Sequence, residues 1–165
     1  PLAPAGGFTE IDADNVMAKA LDFTWKREVP VLYIVAELDS ILPLKGMQDM
    51  FNRNPDPKTT VVLLNADHFH FNDAIEQTHD GYKLLLGMLA EGMDEDTRHS
   101  TETMMAGMKP SSELVAGADA YALINGLGLA HFDRELRGSQ DAASFLRGDL
   151  VAILAEHHIN VKLLF

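Results

Sequence analysis

An α/β fold, in which two parallel strands joined by a βαβ crossover are followed by several helices, is what this sequence predicts. Three observations carry it: two short apolar runs rich in β-branched side chains, a helical pattern between them, and helical periodicity from Asp73 almost to the end.

The chain begins with a loop containing Pro1, Pro4, Gly6 and Gly7. Asp14 then fits the N-cap of a helix from Asn15 to Lys26, with Val16, Ala20 and Phe23 along one face and Pro30 beyond its end. Val31 to Ala36 is an unbroken apolar run, too short for a helix and too apolar for a half-exposed strand, so it reads as a buried parallel strand. After Pro43 a short helix runs through Leu44, Met47, Met50 and Phe51, and Asn52, Asn54, Pro55 and Pro57 stop it. Thr60 to Leu64 is the second buried strand, and strand, helix and strand in this order call for a right-handed crossover between parallel neighbours.

Farther on, Ala74 to Ala90 predicts a helix, while the acidic, methionine-rich Glu91 to Met108 fits either a helix or an irregular segment. Met88, Met93, Met104, Met105 and Met108 suit either helix packing or the lining of an adaptable lid. Asp94, Glu95 and Asp96 read as a solvated turn with a helix N-terminus. Pro110 marks a break, Ser111 or Ser112 caps a helix through Leu114, Tyr121 and Leu123, and another helix runs from Ser139 or Asp141 to about His157. An apolar ending, Ile159 to Phe165, closes the chain.

Composition bounds the partners. With 165 residues, 47% of them hydrophobic and 23% charged, the chain suits one packed domain. Its 13 basic and 25 acidic residues leave a net charge of −12, which repels nucleic acid and anionic membranes. Cysteine is absent, so disulfides, iron–sulfur clusters and thiolate zinc sites are excluded. Pro1 to Phe8 has neither the basic start nor the apolar run of a signal peptide, and no later run of 18 apolar residues exists, so a soluble piece is expected. Two strands alone leave unpaired edges, which predicts a further strand beside Val31 to Ala36, supplied by sequence before Pro1.

Chemistry in open parallel sheets gathers at the carboxyl ends of the strands. Here the first strand runs into Glu37, Leu38, Asp39 and Ser40, and the second into Asn65, Ala66, Asp67, His68, Phe69 and His70. Adjacent strands lie about 4.8 Å apart, so these loops can bring a carboxylate to an imidazole and fix its tautomer. Asp39 and His68 are the favoured pair. His70 competes as the base, because strand alternation would put it on the same side; Glu37 is a fallback acid. A metal site at His68, His70 and Asp73 is the weakest reading, since an H-x-H pair lacks a third ligand at motif spacing.

These residues resemble the α/β-hydrolases. VPVLYIVAELDSILP, Val29 to Pro43, is similar to that superfamily's Gly-Glu-x-Asp-x-x-x-Pro acid loop, with Ala36 in place of the glycine; TTVVLLNADHFHF, Thr59 to Phe71, resembles its last strand and histidine loop. Leu129 to Gly138, LAHFDRELRG, looks like the closing helix of dienelactone-hydrolase-like and acetylhydrolase-like members. The resemblance implies that Asp39 and His68 are the acid and histidine of a Ser-His-Asp triad acting on a small ester, lactone or thioester, without a cofactor. Acid before histidine matches the order Ser…Asp/Glu…His, yet no G-x-S-x-G elbow occurs, and Ser40, Ser100, Ser111, Ser112, Ser139 and Ser144 all lack that setting. The expectation is therefore that residues 1–165 form the C-terminal portion of a hydrolase domain, inactive alone, whose N-terminal portion carries the nucleophile. A non-catalytic binding module on the same fold is the alternative.

Overall fold

The computed structural model describes residues 24, 27–42 and 44–164. Apart from Thr24, the segment expected to be a helix from Asn15 to Lys26, with Trp25, lies outside them. Within the described residues the protein is a mixed α/β structure: a three-stranded sheet with six α-helices.

Strand β1, Val31–Ala36, pairs in parallel with β2, Lys58–Leu63, in the register Val31↔Lys58 to Ala36↔Leu63. The crossover carries helix α1, Leu44–Arg53, whose Met47, Met50 and Phe51 pack on Val31, Tyr33, Val35 and Val62. The opposite face of the same strands presents Ile34, Ala36, Val61 and Leu63 to a second layer. Strand alternation thus turns apolar side chains both ways, as expected for strands covered on both faces.

After β2 a one-turn 3-10 segment, His68–Phe71, leads into α2, Ile75–Ala90, and α3, Glu95–Gly107. The ambiguous acidic stretch is thus helical over most of its length. Asp94 is its N-cap, accepting the Thr97 N–H at 3.0 Å. Of the methionines in and beside it, Met108 is buried and Met88, on α2, is exposed. The next helix, α4, Gly117–Arg137, starts later than the cap at Ser111 or Ser112 predicted. Ser111 instead binds Asp80 through both its N–H and its hydroxyl, and the Val115 N–H donates to Asn65 O at 2.9 Å, holding the intervening chain out of the helix.

The helix expected from Ser139 to His157 is two helices, α5, Gln140–Arg147, and α6, Leu150–Ala155. Gly148 ends the first, and Asp149 caps the second by accepting the Ala152 N–H at 3.1 Å. Ala120, Leu123, Leu127, Leu150 and Leu154 from α4 and α6 form the layer under Ile34 and Val61. The apolar ending then adds a strand that the sequence reading lacked: β3, Val161–Leu164, antiparallel to β2 in the register Leu63↔Val161 to Thr60↔Leu164. Among the described residues β2 is therefore the central strand, and the sheet grows on the side away from β1.

Candidate active site

Because β1 and β2 run parallel and in register, both leave the sheet at one edge. Backbone bonds join the two exit loops beyond the strands: the Glu37 N–H donates to Leu63 O at 3.0 Å and the Leu38 N–H to Ala66 O at 2.9 Å. The next residue, Asp39, is 8% exposed. Its Oδ1 accepts the N–H groups of Ile41 at 3.0 Å and Leu42 at 2.6 Å, a turn in which the side chain replaces a backbone acceptor. Its Oδ2 faces Nδ1 of His68 at 3.0 Å.

His68 is placed by the 3-10 turn it opens. Asp67, extended at φ −113°, caps that turn by accepting the His68 N–H. In return the His70 ring takes the Asp67 N–H at 2.9 Å, a reciprocal cap with histidine where glutamate or glutamine is usual. Nε2 of His70 lies 2.9 Å from Val115 O, and a carbonyl only accepts, so Nε2 carries a hydrogen; Nδ1 lies 2.9 Å from both the N–H and the carbonyl oxygen of Asp67.

For His68 a single contact decides the matter. The Asp39 carboxylate accepts from Nδ1–H, leaving Nε2 as the basic nitrogen, and among the described residues nothing hydrogen-bonds to it. The hydrogen bond to Asp39 raises the His68 pKa above its ordinary 6.5; half-burial opposes the shift, and the charges of Asp39 and Asp67 add to it. Phe69 meets the His68 ring edge-on at 6.1 Å, and its other neighbours are Tyr82 at 4.8 Å and His79 at 5.5 Å on α2.

Asp39 and His68 are therefore brought together, and the other sequence candidates are not. His70 lies 3% exposed with both ring nitrogens bonded, because the chain turns at His68 instead of continuing as a strand. Glu37 points to the β3 side, where its Oε1 pairs with Lys162 Nζ at 2.8 Å and its Oε2 accepts the Asn65 N–H at 3.1 Å. Lys162 holds the Glu37 carboxyl below the usual range. Among the described residues no group of three or more His, Asp or Glu side chains is placed to hold a metal ion, so His68, His70 and Asp73 do not form the metal site considered from the sequence.

Sequence reasoning missed Asp67 and Ser40. Asp67 is 1% exposed, and its Oδ1 accepts the Ser40 hydroxyl at 2.8 Å, a second tie between acid loop and histidine loop beside the Asp39–His68 bond. The signal was the Asp67-x-x-His70 spacing of a reciprocal cap. No family model matches this chain, and neither a curated protein nor a solved structure matches it significantly.

Proposed function

We propose that this chain carries the acid and the histidine of a serine hydrolase of the α/β-hydrolase class, acting on a carboxylic ester, lactone or thioester. The observation that supports the reading is the 3.0 Å contact between Asp39 Oδ2 and His68 Nδ1 at the carboxyl ends of two adjacent parallel strands. Since no G-x-S-x-G occurs in the 165 residues, the serine and the oxyanion hole belong, in this reading, to a segment preceding Asp39 in the full domain.

The chemistry follows from the tautomer. His68 Nε2 takes the proton of the serine hydroxyl as its oxygen attacks the substrate carbonyl, and the buried Asp39 carboxylate stabilises the imidazolium that forms. The imidazolium then protonates the departing alcohol or thiol. Water, deprotonated by the same nitrogen, releases the acid from the acyl-enzyme.

The test joins the chain to its upstream sequence and follows p-nitrophenyl ester hydrolysis. His68→Ala should abolish turnover, and Asp39→Asn should lower kcat by about ten-thousand-fold through the wrong tautomer. Undiminished hydrolysis by His68→Ala would end the proposal. A second reading, a non-catalytic module that binds a ligand on this fold, is favoured by the missing elbow; failure of the joined protein to react with a fluorophosphonate probe would favour it over the first.

A further inference from the structure

Asn65 lies just beyond β2, and its backbone takes the left-handed conformation at φ 54°, which few residues other than glycine adopt and asparagine tolerates. Each of its polar groups is bonded. Its N–H donates to Glu37 Oε2 at 3.1 Å, in the loop that carries Asp39. Its carbonyl accepts the Val115 N–H at 2.9 Å, its Nδ2 donates to Glu113 O at 2.6 Å, and its Oδ1 accepts from Lys109 Nζ at 3.2 Å. An ammonium only donates and a carbonyl only accepts, so these two partners fix which end of the amide is which.

Lys109, Glu113 and Val115 belong to the connection between α3 and α4, which is itself fastened to α2. Lys109 O lies 2.7 Å from His79 Nε2, and Ser111 is held by Asp80. Val115 then spans the histidine loop: its N–H is on Asn65 O, and its carbonyl accepts from His70 Nε2. The loop from Asn65 to His70 is thereby closed at both ends on one residue, with His68 inside it.

We infer that Asn65 is a positioning residue for His68: its left-handed backbone and its clasped amide set where the histidine loop leaves β2, and so hold His68 Nδ1 against Asp39. This role rests on reading Asp39 and His68 as a working acid–histidine pair. Only Ala66 and Asp67 separate Asn65 from His68, and both are buried, Ala66 with its carbonyl on the Leu38 N–H and Asp67 with its side chain on Ser40. A rotation at Asn65 therefore reaches the imidazole with little slack to absorb it. Glycine would take the same φ without either side-chain bond, which separates the amide's contribution from the backbone's.

An NMR titration of the His68 ring in the 165-residue chain, read beside Tm, tests this and needs no nucleophile. In the unaltered chain the midpoint should lie above 6.5, because of the hydrogen bond to Asp39. Asn65→Gly should move it down towards 6.5, and Asn65→Ala, which adds backbone strain, should move it at least as far; if the alanine variant fails to fold, the glycine variant decides alone. Gly138→Ala, which strains only the far end of α4, should lower Tm and leave His68 where it was. An Asn65→Gly chain that loses Tm yet keeps the unaltered midpoint overturns the inference and leaves Asn65 a structural residue. A midpoint no higher than 6.5 in the unaltered chain would instead remove the acid–histidine pair, and the positioning role with it.

Discussion

Asp39 Oδ2 lies 3.0 Å from His68 Nδ1 while the other oxygen of Asp39 is held by two backbone N–H groups of its own loop. The carboxylate therefore does not depend on the imidazole for its position, and the imidazole does not depend on the carboxylate, because the Asp67 cap sets its turn. Two local motifs, each encoded within a few residues, meet because parallel pairing puts their strands in register.

That independence makes the electrostatic effect of Asp39 separable from its effect on structure. His68 should titrate above 6.5 in an NMR pH series, and Asp39→Asn should bring it down, since the hydrogen bond to Asp39 is the first cause of the elevation. The sign for stability follows from linkage. A raised pKa means the folded state binds the proton more tightly, so the stabilisation of the His68 cation is complete below about 6.5 and disappears as pH rises through the raised value. In the joined enzyme His68 must be neutral to accept a proton, so the acid limb of kcat/KM should lie above 6.5 and move down in any Asp39→Asn activity that remains.

His68 and His70 should separate by what their loss costs. Removing His70 leaves the buried Asp67 N–H and Val115 carbonyl without partners, and each orphaned group costs about 1–3 kcal/mol. His70→Ala should therefore lower unfolding free energy by about 3 kcal/mol in urea denaturation. His68→Ala leaves the turn's cap in place and should cost about 1 kcal/mol or less. Equal destabilisation by the two would contradict their assigned places.

Much of this was readable in the sequence because the determinants are local. Val31–Ala36 is a strand with the bounds that its apolar run sets, and α1 carries its apolar positions against the sheet as its spacing requires. Asp39 and His68 followed from those strands, since strand ends define where loops meet. What escaped was set by distant partners. β3 contains Lys162 between apolar neighbours and is only four residues long; its strand character comes from pairing with β2 and from the Glu37 contact. The late start of α4 likewise depends on Asp80 and Asn65, far away in the chain, binding Ser111 and Val115. His70 lies apart from Asp39, although strand alternation alone would put it on the side of His68, because the Asp67 cap turns the chain there.

Asp67 links these local motifs and should be more sensitive than a loop aspartate. Asp67→Ala removes the cap of the 3-10 turn and the acceptor of the Ser40 hydroxyl, for a cost of about 2 kcal/mol. It should also lower the His68 pKa, to which the Asp67 charge contributes. Ser40→Ala should cost less, about 1 kcal/mol, because Asp67 keeps its bond to the His68 N–H. A combined stability and NMR titration series checks both effects.

Two glycines of α4 should fail for different reasons when replaced by alanine. Gly138 closes the helix at φ 66°, with its N–H on Arg134 O and the Ser139 N–H on Asp133 O, and nothing lies within 4 Å of its Cβ position. Its alanine variant should lose about 1 kcal/mol from the left-handed backbone alone, and Gly138→Asn should recover part of it. At Gly117, by contrast, a Cβ would stand 2.5 Å from Cγ2 of Ile75, which is itself 2% exposed. Gly117→Ala should cost about 1–3 kcal/mol by overpacking. Because the closest contact is with Ile75, with the Glu76 carboxylate next at 3.1 Å, Ile75→Ala should relieve most of the penalty: the double variant should be more stable than the sum of the single changes predicts, whereas Gly138→Ala should combine additively with Ile75→Ala.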